Sequence, residues 1–147
     1  MKKLLVTLCI AAVSLGFAAR CAKAETIWYI DGYAYPQYED GLFLESVSSV
    51  DFGVWPVAPG HVAGAVYTID GWNTVQWGSA SWEYNVPNDY GSYDEHWNWY
   101  QNLNGPQPTH NNPVYLWFAL YVDDQYGNRY WDNNGGWNYQ LISSCGC

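Results

Sequence analysis

Positive charge is nearly missing from this chain. Of its 147 residues only five are Lys or Arg, against 14 Asp and Glu. Four of the five, Lys2, Lys3, Arg20 and Lys23, lie at the N-terminus, so that from Glu25 onward Arg129 stands alone. That stretch carries a net charge of about −13 with histidine neutral. Nucleic-acid binders displace phosphate counterions with Lys and Arg, and anionic membrane surfaces are held by the same residues. Both partners are excluded. Cysteine is equally scarce: beyond Cys9 and Cys21 there are only Cys145 and Cys147. A Cys-x-Cys pair at the end of a chain closes too small a loop to staple a fold. It reads as a terminal disulfide or as free thiols, with a metal or intermolecular role as the alternative; without a second pair it is a weak zinc signal.

Long apolar runs are absent except for one. Leu4 to Ala19 follows the basic start Met1–Lys2–Lys3 and precedes a small-x-small site at Ala22–Lys23–Ala24. This is the pattern of a secretory signal peptide over residues 1–24, and the run is short for a bilayer span. Arg20 stands where a lipoprotein signal needs a small residue before Cys21. A leader cleaved near Ala24 is therefore expected, with no lipid anchor, giving a secreted or periplasmic product of one domain over residues 25–147.

What remains is dominated by rings. All ten Trp and all 14 Tyr fall after residue 24, with Phe43, Phe52 and Phe118. Each ring has 150–250 Å² to bury, more than so small a core can absorb, so some are expected on the surface, where exposed apolar groups mark binding sites. Flat rings beside many Asn side chains, with little positive charge, suit a neutral polyhydroxylated ligand such as a sugar.

No stretch repeats apolar residues at helical spacing over three turns. Short runs rich in Val, Ile, Tyr and Trp alternate instead with Gly, Pro, Asn and Asp clusters, which predicts an all-β chain. Strands are expected near Thr26–Ile30, Leu42–Phe52, His61–Ile69, Thr74–Tyr84, Glu95–Leu103, Val114–Val122, Asn128–Trp131 and Trp137–Ser143. About eight strands spaced by turns indicate an antiparallel β-sandwich. Strand side chains alternate between faces, so Trp97, Trp99, Gln101 and Leu103 share one side. By the same rule Val114, Leu116, Phe118, Leu120 and Val122 oppose Tyr115, Trp117, Ala119 and Tyr121. Trp97, Trp99 and Trp117 are expected in the core.

The most specific segment runs from Gly127 to Tyr139 and packs Tyr130–Trp131–Asp132–Asn133–Asn134–Gly135–Gly136–Trp137–Asn138–Tyr139 into one hairpin-like stretch. Its spacing fits a tight turn, since Asn and Gly tolerate left-handed conformations. It also fits a sugar site in which Trp131 offers its face and Asn133 and Asn138 bond hydroxyls.

Tyr130–Trp131–Asp132–Asn133–Asn134 and Asn138–Tyr139 follow the strand Phe118–Ala119–Leu120–Tyr121–Val122. Upstream stands Tyr67–Thr68–Ile69–Asp70–Gly71–Trp72, and between them lies the Trp97, Trp99 and Leu103 strand. In these ordered motifs the chain resembles carbohydrate-binding module family 21, the starch- and glycogen-binding domains, over roughly Val62 to Ile142. The resemblance implies an immunoglobulin-like β-sandwich that binds α-glucan without chemistry. It implies one site from the stacking Trp72 with Asn133 and Asn138, and a second contact surface with Trp131 and Phe118, for which Trp55 is a further possible aromatic. In phosphatase-targeting members a basic-Val-x-Phe motif recruits protein phosphatase 1; Ser49–Val50–Asp51–Phe52 lacks the basic residue, so no such partner is expected.

Catalysis is not expected. Asp94–Glu95 and Asp123–Asp124 are adjacent, and strand neighbours point to opposite faces, a poor arrangement for two carboxylates flanking one bond. His61, His96 and His110 have no Ser or Cys beside them that suggests a nucleophile and read as surface or loop residues. Neither a metal nor a cofactor is called for. The rival readings are a calcium-stabilised lectin or adhesin using Asp123, Asp124 and Asp132, and an envelope protein that self-associates through its aromatics.

Overall fold

The computed structural model describes residues 25–145, so the expected leader and Cys147 lie outside the described residues. Alternating side chains generate nine strands: β1 (Thr26–Glu39), β2 (Leu42–Trp55), β3 (Val62–Thr68), β4 (Gln76–Ser79), β5 (Ser81–Pro87), β6 (Tyr93–Leu103), β7 (Val114–Asp123), β8 (Arg129–Asp132) and β9 (Tyr139–Ser143). They form two antiparallel sheets. The first runs β1-β2-β6-β5; the second runs β4-β3-β7-β8, with β9 also pairing β7. The all-β sandwich expected from the sequence is what forms.

Two strands differ from expectation. The stretch expected as one strand over Thr74–Tyr84 divides at Ala80 into β4 and β5, which belong to opposite sheets. Ala80 donates its amide to the Ala63 carbonyl at 2.8 Å and turns the chain from one sheet to the other. The first strand does not stop at Ile30 but continues to Glu39. A register shift after Tyr29 restores the pairing, and Pro36 is tolerated because β1 is an edge strand that loses no ladder bond on its open side.

The core lies between the sheets. β2 contributes Val50, Phe52 and Val54, β6 contributes Trp97, Trp99 and Leu103, β3 contributes Ala63, Ala65 and Tyr67, and β7 contributes Leu116, Phe118, Leu120 and Val122. Phe118 has no exposed surface. Its ring meets Tyr29 and Trp99 from the first sheet, at centroid distances of 6.2 and 5.6 Å, and Tyr139 from its own sheet at 5.4 Å. Phe118 is thus not a ligand contact as the resemblance implied; its strand parity points it inward. Trp117 is corrected the other way, being only half-buried, on the outer face beside the loop that follows β3.

A polar clasp closes one end. The His61 side chain, 2% exposed, lies with Nδ1 3.0 Å from Glu95 and Nε2 3.5 Å from Glu25. His61, expected as a surface or loop residue, is in the loop before β3, but its side chain is buried and not on the surface. Glu95 also accepts from the Trp97 indole and the Ala58 amide. Burial pushes the Glu25 carboxyl above its usual range, against the opposing pull of His61.

Because Phe118 joins both sheets, Phe118→Ala is expected to cost about 3–5 kcal/mol. Urea unfolding followed by tryptophan fluorescence measures this; a loss below 1 kcal/mol contradicts the buried placement.

Candidate functional site

The outer face of the second sheet is built in rows. Thr68, Trp117 and Gln140 pair across β3, β7 and β9; Trp77, Val66 and Ala119 form the next row; Gly64, Tyr121 and Trp131 form the third. The middle row is small at Val66 and Ala119, so a shallow trough runs between larger side chains. Opposite Ala119 the chain leaves the ladder between Asp132, paired with Leu120, and Tyr139, paired with Phe118. The excursion is the turn Asn133–Asn138, which therefore rises from the edge of this face.

Trp72 follows the end of β3 in the same sheet. It sits in the loop after β3, 37% exposed, with a left-handed backbone (φ 69°) directly after left-handed Gly71. Such a conformation is strained for a bulky residue and persists only where its surroundings impose it. Asp70 imposes it: its carboxylate accepts from the Thr68 hydroxyl at 2.7 Å, the Thr74 amide at 2.9 Å and the Thr74 hydroxyl at 2.8 Å. The Thr68 oxygen in turn accepts from the Trp72 amide at 3.1 Å. Under this loop a cleft of about 410 Å³ is lined by Ile69, Asp70, Gly71, Tyr115, Trp117 and Gln140. The row from Thr68 to Gln140 spans two strand spacings, roughly 10 Å; Gln140 of β9 meets Asp70 and Gly71 of the loop across this cleft, whereas Trp72, Asn133 and Asn138 are not among its lining residues.

The Asn133–Asn138 turn is self-supported. The Asn133 side chain accepts from the Gly136 amide at 3.0 Å, and a single 3₁₀ turn follows over Asn134–Gly136. Asn138 is left-handed (φ 60°), and its carbonyl accepts from the Asn134 side chain. Trp137 projects from the turn with 82% of its surface exposed. Asp132, the acid of the same motif, faces inward and accepts from the Tyr29 amide and the Tyr139 hydroxyl, fastening the turn to both sheets. That bond to Asp132, together with burial, raises the Tyr139 hydroxyl well above the usual phenol range.

Trp131 belongs to the third row, in a cluster the sequence did not reveal. Trp77, Tyr121 and Trp131 pack with centroids 5.5–5.9 Å apart. Arg129 lies over all three, closest to Tyr121 at 4.3 Å, and its guanidinium is bound by two bonds to Asp123 at 2.6 and 2.7 Å. Gly64 makes this possible, because a Cβ there would run into the Gly78 carbonyl and the Tyr121 ring. The single Arg of the described residues is thus already paired.

A second aromatic cleft, of about 580 Å³, opens on the first sheet between Thr26, Trp28, Trp55, Asn88, Tyr90 and Asp94. Trp28 lies flat across Gly53, where no Cβ fits beneath the indole, and Tyr90 is 93% exposed.

The acidic residues weighed for chemistry or calcium are dispersed. Asp94 bonds Asn88 while Glu95 is buried with His61; Asp123 holds Arg129; Asp124 caps its turn through Tyr126, Asn128 and Tyr130. Asp132 is satisfied by Tyr29 and Tyr139, so the three aspartates of the calcium reading do not converge on one point.

No protein-family model matches the chain, and no curated protein matches it. Among solved structures it is similar to the carbohydrate binding module of the muscle glycogen-targeting subunit of Protein Phosphatase-1, in solution. Identity is 17%, each chain is covered over 74% of its length, and the TM-score is 0.47. A likeness at that level leaves the site to be read from this chain's own side chains.

Hydrogen bonds from Thr68 and Thr74 lower the Asp70 carboxyl to about 2. A depressed carboxyl stabilises its loop above the ordinary value near 3.8 and ceases to as pH falls through the folded value. Amide exchange over residues 69–75 is therefore expected to stay slow down to about pH 3 and to quicken toward pH 2. In Asp70→Ala it is fast throughout.

Proposed function

We propose that this protein binds a neutral polysaccharide, an α-glucan such as starch or glycogen, without chemistry. The observation that supports the reading is Trp72, partly exposed and held in a strained left-handed conformation by the Asp70 knot, in a loop whose Asp70 and Gly71 line a cleft with Trp117 and Gln140. A tight backbone arrangement maintained to present one indole has no evident packing purpose. In this reading the Trp72 face stacks on a glucose ring, while Asn138 and the Nδ2 group of Asn133 bond hydroxyls of the same glucan. Trp131 contributes a second contact along the trough. With Arg129 occupied by Asp123, this face selects against phosphate and carboxylate ligands.

The cleft of Trp28, Trp55 and Tyr90 supports a second contact surface on the opposite sheet. Stacking contributes about 0.5–1.5 kcal/mol per ring beyond area burial, and hydrogen bonds a similar net amount. After association costs, each surface alone is expected to bind at hundreds of micromolar to millimolar. Two surfaces on one long glucan gain through avidity.

In an amylopectin affinity gel the protein is expected to be retarded, and Trp72→Ala to lose most of that retardation with an unchanged far-UV spectrum. Asn138→Ala is expected to weaken binding by roughly tenfold or less, the effect of one lost hydrogen bond. Equal mobility of folded Trp72→Ala and the parent removes Trp72 from the site. Release of reducing sugar from starch by the pure protein contradicts the non-catalytic reading.

A further inference from the structure

The outer face of the first sheet carries a cluster that plays no part in glucan binding. Asp51 of β2, Glu83 of β5 and His96 of β6 each bring one donor atom to within 4.8 Å of the others. We propose that these three side chains form a site for a divalent transition metal of the zinc class.

The donor set fits that class. One imidazole with two carboxylates suits zinc, nickel or copper, whereas calcium takes six to eight oxygens. Two carboxylates balance the charge of a divalent ion. His96 Nδ1 lies 3.2 Å from Glu83 Oε2. Two donors on one tetrahedral metal, each at about 2.0 Å, stand roughly 3.3 Å apart, so this pair already has the separation a shared ion requires.

The surrounding residues hold each donor in place. Glu83 is the extra residue at a register shift of β5 against β6, where Trp82 pairs Trp97 and Tyr84 pairs His96. A bulge of this kind re-aims a side chain, and here it brings Glu83 to His96. Tyr84 lies parallel to the imidazole, at 4.6 Å and an interplanar angle of 7°, and fixes the ring plane. Asp51 Oδ1 accepts from Asn98 Nδ2 at 2.8 Å, and the same amide nitrogen donates to Ser49 at 2.8 Å. This leaves Oδ2 as the ligand atom and supplies the outer-shell bond that metal-binding carboxylates have. Asp31 pairs with Asp51 across β1 and adds a further negative charge, with its Oδ1 accepting from the Gly32 amide. A metal here ties β2, β6 and β5 together and leaves a coordination position for water.

Three residues so distant in sequence give no spacing motif, which is why the sequence called for no metal. The test is calorimetric titration of the chelator-treated protein with zinc chloride, in a Cys145→Ser/Cys147→Ser background that silences the terminal thiols. One saturable site is expected. It is weakened at least about tenfold by His96→Ala and by Asp51→Asn, and unchanged by His110→Ala, which alters an exposed loop histidine. Zinc is also expected to shift the ring resonances of His96 in the unsubstituted background. The absence of saturable binding, or binding indifferent to both His96→Ala and Asp51→Asn, overturns the proposal. Far-UV spectra establish that each variant is folded.

Discussion

The ring of Phe118 is where the two sheets close on each other. It touches Tyr29 and Trp99 on one side and Tyr139 on its own, and everything outward of it follows from how little room that contact leaves. Sheets packed face to face stand about 10 Å apart and accept side chains from one face of each strand only. Phe52, Trp97, Trp99, Phe118 and Tyr67 fill that space with large rings. Tyr29, Tyr130 and Tyr139 pack against its margin, and most of the remaining Trp and Tyr have no interior left, so they occupy the outer faces and the loops. The aromatic surface is thus a consequence of composition, and the sequence chooses only where each ring lies.

Period-two alternation made most strands and the inward set of β6 legible from residues alone, and sorted β7 into two faces without telling which is inward. What misled was punctuation. Gly32 and Pro36 resemble strand breakers, yet an edge strand pairs on one side only and carries them through to Glu39. Ala80 carries no turn signal at all, and the switch of sheets there depends on one long-range amide bond to Ala63. Phe118 shows what parity leaves open: alternation grouped it with Leu116 and Leu120 without saying which face turns inward, the family resemblance placed it on a ligand, and packing buries it. His61 was unreadable for another reason, since its partners approach from distant parts of the chain, Glu25 from just before β1 and Glu95 from β6.

The site residues divide along the same line. Asn133 and Asn138 stood out because Gly, Asn and Asp around them announce a turn, and local turns are what sequence reports best; Trp72 was singled out through the family resemblance alone. Trp117, Trp77 and Tyr121 share their outer face yet were indistinguishable from core residues, because both sides of β7 are apolar. The Arg129 stack was hidden too. Its geometry needs Gly64 on a neighbouring strand to be bare, and nothing near Arg129 in the chain says so.

A surface of exposed rings invites association between copies, and the charge of this chain opposes it. With Arg129 bound to Asp123, every other side chain that is charged throughout the neutral pH range is negative among the described residues. Two such molecules repel before their rings meet, whereas an uncharged glucan meets no such barrier. The same imbalance bears on the first sheet, where Asp31, Asp51 and Glu83 gather around one histidine with neither Lys nor Arg among the described side chains bonded to them. A sheet with so few cations near it must offset clustered carboxylates by other means. Amide donors such as Asn98 do so in part, and a divalent ion would offset two of the three negative charges.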